Sequence, residues 1–183
     1  YSDQAIKDIL FECRDSLDVL VNNAAIQILA PVKEFTFASW KKTININLNS
    51  VFILTKGLLS NLEKKKGSVV NIASIHATLT KSNFSAYATS KAALVGLTKS
   101  LAVELGSKVR FNVICPAAID TPMLHSGFNG SLQGLRLLDE YHPSGKIGSI
   151  YDVTRSVLFL IEGGSFLNGS IVNLDGGISS RLH

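Results

Sequence analysis

The sequence predicts an α/β domain with a doubly wound parallel sheet, and three observations support that prediction. Short apolar runs bounded by polar residues alternate with longer helical segments along the whole chain. Small or polar residues follow the carboxyl ends of these runs. Apolar residues make up 46% of the chain and charged residues only 17%, which suits a sheet buried on both faces. The 183 residues are expected to form one domain, 1–183.

The apolar runs are short enough to be strands rather than helices. We assign strands to 17–22, 68–73, 109–115 and 170–174. In an open parallel sheet, ligands bind in the crevice outside the carboxyl ends of the strands. The loops that begin at Asn22, Ser74 and Pro116 are therefore expected to share one edge of the sheet.

The helical segments have recognisable ends. We predict helices over 4–14, 37–63, 85–105 and 150–161, and an irregular or partly helical excursion over about 117–148. Lys64–Lys66 suit the negative end of the second helix and Gly67 suits its C-terminal cap, so this lysine run is not taken as a nucleic-acid patch. The segment from Ser149 to Asp152 resembles a capping box that opens the last helix. Asn47 falls inside the second helix, where an ordinary explanation is a buried hydrogen bond to backbone.

Tyr87 and Lys91 are the most informative pair in the chain. Residues four apart on a helix share one face, so the two side chains are predicted neighbours. A phenol has a reference pKa of about 10, and an ammonium about 4 Å away is able to lower that pKa by up to about three units. Tyr87 is therefore expected to act as an acid/base near neutral pH, with Ser74 holding the substrate oxygen beside it.

The pair alone is weak evidence. Four tyrosines and thirteen lysines give about 0.3 chance pairs at this spacing, and an amphipathic helix with a surface lysine is an equally good explanation.

The rest of the sequence excludes a few classes of protein. No apolar stretch is long enough to span a membrane and no signal peptide is visible. Cys13 and Cys115 lack metal or disulfide spacing, so we expect free thiols, no bound metal and a cytoplasmic location.

Several short motifs together resemble the short-chain dehydrogenase/reductase family. They occur in that family's order and at about its spacing, and they cover nearly the whole chain. The motifs are Asn22-Asn23-Ala24-Ala25, Asn47-Leu48, Val70 to Ser74, Tyr87-x-x-x-Lys91, Arg110 to Pro116, and Asp175-Gly176-Gly177. The resemblance implies a Rossmann-like, three-layer α/β/α fold. It also implies hydride transfer between NAD or NADP and a small-molecule alcohol or carbonyl substrate.

The resemblance also implies roles for individual residues. Tyr87 resembles the general acid/base and Ser74 the residue that orients the substrate oxygen. Lys91 resembles the residue that lowers the tyrosine pKa and binds the nicotinamide ribose. Asn47 resembles the residue that holds a water for proton relay.

The cofactor and substrate positions follow from the same resemblance. Asn22 and Ala24 match the loop beside the adenosine and ribose, while Pro116, Ile119 and Thr121 belong to the loop that meets the carboxamide or diphosphate. Ala117 and His76 are expected to line the substrate pocket, although a packing or solvated histidine is a simpler interpretation of His76. Alanine replaces a customary glycine at Ala117, which is harmless where φ is negative.

The chain departs from the family pattern at its front. No Gly-x-x-x-Gly-x-Gly or Gly-x-Gly-x-x-Gly occurs, and the chain opens at Tyr1 inside a predicted helix. We therefore expect the C-terminal portion of a longer chain, seen without its two N-terminal βα units of about 60 residues. Two other functions stay open: a dehydratase or epimerase of related fold, and a non-catalytic dinucleotide-binding protein. A homodimer or homotetramer is expected, without nucleic-acid or membrane partners.

Overall fold

A four-stranded parallel sheet organises the computed structural model, which describes residues 3–127 and 132–182. The strands follow one another across the sheet in chain order, and every neighbouring pair is parallel. Their bounds are β1 Val19–Asn22, β2 Ser68–Ile72, β3 Arg110–Pro116 and β4 Ile171–Leu174. Each of the four predicted strands is present, and each is displaced by no more than two residues at either end.

Helices cover the sheet and connect its strands. Their bounds are α1 Asp3–Glu12, α2 Phe37–Ile44, α3 Ser50–Lys65, α4 Ser85–Leu105, α5 Pro122–Ser126, α6 Leu132–Tyr141 and α7 Ile150–Glu162. The predicted helix 37–63 is continuous but contains a π-helical segment, Asn45–Asn49, between α2 and α3. The predicted excursion holds α5 and α6, and its residues 128–131 lie outside the described residues.

The core lies on both faces of the sheet, which confirms the three-layer α/β/α architecture. On one face, Val69 and Phe111 pack against Leu62 of α3. On the other face, Val70 packs against Leu160 of α7. Successive strand residues point to opposite faces, so neighbours in β2 contribute to different layers. The helix that carries Tyr87 and Lys91, α4, lies in the same layer as α3.

Arg110 fixes the end of α7 against the sheet. Its guanidinium donates hydrogen bonds to the carbonyl oxygens of Leu160 (2.9 Å), Ile161 (2.6 Å) and Leu167 (3.0 Å). The last carbonyls of a helix have no intrahelical partner, and an arginine fork satisfies several of them at once. The first residue of the motif Arg110 to Pro116 therefore has a structural role, at the opposite end of β3 from Pro116.

The end of α3 differs from the prediction by one residue. Lys66, with φ of 50°, adopts the left-handed conformation and caps the helix, so the prediction of Gly67 as the cap was wrong. Gly67 serves a different purpose. A Cβ atom there would lie 2.9 Å from the Asp18 carbonyl oxygen, so glycine allows the backbone to pass close to the start of β1.

Within 3–127 and 132–182, no helix is both long and apolar enough to cross a bilayer.

Candidate active site

Three strand ends meet at one edge of the sheet. Asn22 ends β1 and pairs with Asn71 of β2, while Ser74 lies two residues beyond the end of β2 and Pro116 ends β3. The strands are parallel, so their carboxyl ends and the loops that follow them face the same way. The shared edge predicted from the sequence is therefore present, and the first turns of α4 pack beside it.

Ser74 and Tyr87 form the centre of the site. Ser74 has extended backbone and caps the short 3₁₀ turn Ile75–Ala77, where its hydroxyl accepts a hydrogen bond from the His76 main-chain N–H (3.2 Å). Tyr87 lies in the first turn of α4, and both side chains are buried. Burial raises the pKa of the Tyr87 phenol, and a side-chain hydrogen bond with Ser74 partly opposes that rise.

Lys91 is a buried cation one helical turn beyond Tyr87. Its Nζ donates a hydrogen bond to the Ile72 carbonyl oxygen (2.7 Å) and lies 5.7 Å from the centre of the Tyr87 ring. Burial lowers the pKa of Lys91 to about 8, and the nearby Cys115 acts weakly in the opposite direction. An ammonium has three donors, and the bond to Ile72 is the one this group makes within the described part of the chain. Two donors are therefore available to a ligand.

The direction of the Tyr87 pKa shift differs from the sequence-based prediction. We expected the lysine to lower that pKa, but the Tyr87 pKa is raised. The Lys91 ammonium is held at the main chain of β2, and burial of the phenol is the largest effect on its pKa. Tyr87 is therefore protonated near neutral pH in this state and is ready to donate a proton.

Asn47 joins three elements through one buried side chain. Its Oδ1 accepts from the Ile26 N–H (2.8 Å), and its Nδ2 donates to the Ile26 carbonyl (2.9 Å) and to the Ser90 hydroxyl (3.1 Å). Ser90 in turn donates to the Tyr87 carbonyl oxygen (2.7 Å). The predicted buried hydrogen bond to backbone is confirmed. Asn47 thereby links the loop after β1 to the turn of α4 that carries Tyr87.

Replacing Asn47 by Ala is expected to lower the free energy of unfolding by about 2–4 kcal/mol, because both main-chain groups of Ile26 lose a buried partner. Urea unfolding measures this loss. Asn49→Ala is the matched control. Asn49 belongs to the same π-helical segment but is exposed, and among the described residues its side chain bonds only to that of Asn45 (2.7 Å), so its removal should cost less than about 0.5 kcal/mol. Equal losses in the two variants would contradict this role for Asn47.

Asn22 and Asn71 form a second buried connection. Asn22 Nδ2 donates to Asn71 Oδ1 (2.8 Å), and Asn71 Nδ2 donates to the Thr98 hydroxyl of α4 (2.9 Å). The Asn22 amide nitrogen is thus directed into the protein. Ala24, two residues further along, is exposed beyond the end of β1. Of these two predicted cofactor positions, Ala24 is the one whose side chain reaches solvent.

The loop after β3 is held by main-chain hydrogen bonds. Ala117 N–H donates to the Leu174 carbonyl (2.9 Å), and Asp120 N–H donates to the Gly148 carbonyl (2.9 Å). The Thr121 hydroxyl caps α5 and donates to the Ile119 carbonyl (3.1 Å). Among the described non-glycine residues only Lys66 and Asn83 have positive φ, so an alanine methyl at Ala117 is tolerated. Ile119 and Thr121 therefore lie on a preformed loop at the sheet edge.

His76 packs directly against Tyr87. Its ring stacks on Phe84 (centroids 4.1 Å apart, planes at 11°) and meets the Tyr87 ring nearly at a right angle (5.8 Å, 80°). Burial, aided by the positive charge of Lys81, lowers the pKa of His76 to about 4. His76 is therefore neutral near pH 7.

Two residues of the site escaped the sequence analysis. Ser90 connects Asn47 to Tyr87, and its position three residues after Tyr87 on the same helix could have indicated this role. Phe84 supports both the His76 and Tyr87 rings, but nothing in its sequence position indicated that contact.

Comparison with known proteins assigns the family. A family model described as enoyl-(acyl carrier protein) reductase matches residues 2–179. The chain belongs to the short-chain dehydrogenase/reductase family. The matched range contains all four residues predicted to be catalytic, namely Asn47, Ser74, Tyr87 and Lys91.

Several relatives in the short-chain dehydrogenase/reductase family have names that refer to an alcohol or a carbonyl compound. Cyclopentanol dehydrogenase of Comamonas testosteroni is 35% identical over 97% of this chain and 71% of its own length. Carbonyl reductase [NADPH] 2 of Sus scrofa is 34% identical over 88% of this chain and 67% of its own length. The ligand-free aldohexose dehydrogenase of Thermoplasma acidophilum superposes with a TM-score of 0.91 at 33% identity, covering 98% of this chain and 74% of that one.

The match to short-chain dehydrogenase/reductase relatives covers part of their length. The chain spans about two thirds of the curated relatives it matches, including 65% of the (2S)-[(R)-hydroxy(phenyl)methyl]succinyl-CoA dehydrogenase subunit BbsD of Thauera aromatica. The comparison therefore assigns the family and the fold of the residues present here.

Proposed function

We propose that the intact protein is an NAD(P)-dependent oxidoreductase that transfers a hydride between the cofactor and a small alcohol or carbonyl substrate, with Tyr87 as general acid/base. The observation that carries this proposal is the arrangement of Ser74, Tyr87 and Lys91. At the sheet edge the Ser74 hydroxyl interacts with the buried Tyr87 phenol and opposes the rise in its pKa, and a buried ammonium with two free donors lies one turn away. A purely structural lysine has little reason to be buried with donors unused.

The roles follow from this geometry. Tyr87 holds the proton that the substrate oxygen gains during carbonyl reduction and accepts it during alcohol oxidation. Ser74 donates a hydrogen bond to the same oxygen and so fixes its position beside the phenol. Asn47 acts through Ser90 on the backbone of Tyr87 and is a positioning residue.

The described residues fit a nicotinamide dinucleotide, either NAD or NADP. We assign its ribose hydroxyls to the two free donors of Lys91, with Tyr87 adjacent. Ala24 and Asn22, at the end of β1, and Pro116, Ile119 and Thr121, at the end of β3 and in the loop after it, would hold the rest of the cofactor at the same sheet edge. The bound cofactor supplies or accepts the hydride, while the protein supplies orientation and the proton. The substrate would contact Ser74, Tyr87, His76 and Ala117.

The test is turnover of an alcohol panel by the intact protein with NAD and with NADP. We expect one reduced cofactor for each carbonyl formed, measured by cofactor absorbance and by chromatography of the product. Water loss or epimerisation with no net cofactor reduction would instead support a dehydratase or epimerase. Cofactor binding without any chemistry would support a non-catalytic protein.

We further propose that the protein is a homodimer or homotetramer. Apolar side chains are exposed on two long helices, with Phe52 of α3 47% exposed and Val103 of α4 89% exposed. Isolated exposed apolar residues are common, but on long helices they favour packing against a second copy. Light scattering on the intact protein should give twice or four times the chain mass, and a monomer mass would contradict the proposal.

A cytoplasmic location is also proposed, and the two cysteines support it. Cys13 and Cys115 are both free thiols in the described structure, as expected in a reducing compartment. Finding the protein in a secreted fraction would contradict this.

A further inference from the structure

Within the described residues, His76 has one ring nitrogen without a hydrogen-bond partner, and the residue contacts both Ser74 and Tyr87. Its Nδ1 is paired with the Thr80 hydroxyl (3.0 Å). Over 3–127 and 132–182, no group hydrogen-bonds Nε2. The main-chain N–H of the same residue contacts the Ser74 hydroxyl, and its ring contacts the Tyr87 ring. A substrate whose oxygen binds Ser74 and Tyr87 therefore lies next to His76.

The His76 ring is held in one orientation. Buried Phe84 stacks against one face of the imidazole, and Tyr87 packs against it edgewise. The contact with Thr80 fixes rotation about the ring axis. A side chain held on three sides presents its remaining nitrogen in a defined direction, which is the property a specificity-determining residue needs.

The charge of His76 limits the groups it can recognise. Its half-buried, neutral ring offers a single hydrogen bond and no positive charge. A carboxylate or phosphate on the substrate would find no salt-bridge partner in this side chain. A hydroxyl or carbonyl oxygen, in contrast, matches a neutral imidazole nitrogen.

We propose that His76 hydrogen-bonds a second oxygen on the carbon next to the reacting carbon. The preferred substrates are then uncharged vicinal diols and α-hydroxy carbonyl compounds rather than alcohols with a single oxygen. This inference rests on the proposed oxidoreductase function and assigns the substrate class of that same site.

The experiment compares cyclopentanol with a vicinal cyclopentane diol, because the two share a ring and differ by one hydroxyl. We expect wild-type kcat/KM to be about tenfold or more higher for the diol, since a site built to bind a hydroxyl discriminates strongly against its absence. His76→Phe keeps the stacking on Phe84 and removes both nitrogens. It should lower kcat/KM for the diol by about tenfold more than kcat/KM for cyclopentanol, mostly through KM, so that the preference for the diol is lost.

His125→Phe is the matched control. The Nε2 of His125 is already paired with Asp120 (2.7 Å), so this variant should keep the wild-type preference for the diol. Binding of the diol to His76 can also be measured without turnover. In the Tyr87→Phe background, the ¹⁵N resonance of His76 Nε2 should shift when the diol binds and stay in place with cyclopentanol.

The outcomes separate this inference from the function it rests on. Equal losses on both substrates in His76→Phe, or no diol preference in the wild type, would overturn the role of His76 while the oxidoreductase function stands. No oxidation of any alcohol by the wild type would overturn the proposed function, and the role of His76 with it.

Discussion

Replacing Tyr87 by Phe is expected to lower kcat/KM for alcohol oxidation by about 10³-fold, because the substitution removes one hydroxyl and with it the acid/base group. The aromatic ring remains, so its contacts with His76 and Phe84 should keep the fold intact. Steady-state kinetics measure the loss, and circular dichroism checks the fold.

Tyr151→Phe is the control for this prediction. Tyr151 is 74% exposed on α7, and removing its hydroxyl should leave kcat/KM within about twofold of wild type. If Tyr87→Phe turned over substrate at the wild-type rate, Tyr87 would take no part in the reaction. The proposed mechanism would then be wrong even if the protein oxidises alcohols.

The direction of the Tyr87 pKa shift adds a pH dependence to the same experiment. Burial raises the pKa of the phenol, so the proton-donating form dominates near neutral pH. Carbonyl reduction should therefore proceed well at neutral pH, and alcohol oxidation should accelerate as pH rises toward that pKa. Tyr87→Phe should abolish the rise along with the activity.

Replacing Lys91 by Met is expected to abolish turnover and, at the same time, to stabilise the protein. The Lys91 pKa falls from 10.5 to about 8 on folding, so keeping the ammonium buried costs up to about 3 kcal/mol below pH 8. Methionine removes that cost but also loses the hydrogen bond to Ile72, worth about 1 kcal/mol. We expect a net gain of about 2 kcal/mol in the free energy of unfolding at pH 7, measured by urea denaturation.

The gain should depend on pH in a definite direction. Between pH 8 and 10.5 an unfolded lysine holds its proton while Lys91 in the folded protein loses it, so wild-type stability rises with pH relative to the variant. The difference between Lys91→Met and wild type should therefore shrink across that interval. Lys99→Met, an exposed lysine two turns later on α4, should change stability by less than about 0.5 kcal/mol. A destabilised Lys91→Met would contradict the assignment of a costly buried charge.

The order of elements could be predicted from the sequence because the strands are short apolar runs with clear polar ends. The placement of Asn22, Ser74 and Pro116 at one edge then followed from parallel pairing alone. The family motifs were also visible as short sequences, even though some of them, such as Arg110, have structural roles.

The details that escaped prediction depend on contacts between distant segments. Lys91 is directed to the Ile72 carbonyl, and burial of Tyr87 depends on how α4 packs on the sheet, so helix spacing alone gave the wrong direction for the Tyr87 pKa. The π-helical segment around Asn47 forms where that side chain bonds to Ile26, which lies in a loop 21 residues earlier. The residue pattern within a single helix does not indicate contacts with distant groups such as the Ile72 carbonyl or the main chain of Ile26.

The most direct test of the account follows a deuterium atom from substrate to cofactor. The intact protein is incubated with NAD or NADP and a cyclic alcohol, with and without a neighbouring hydroxyl, deuterated at the carbinol carbon, and the reduced cofactor is analysed by mass spectrometry. The account predicts one deuterium in each reduced cofactor and one ketone formed per transfer, with both signals lost in Tyr87→Phe. Deuterium retained in a dehydrated or epimerised product, with the cofactor unchanged, would contradict it.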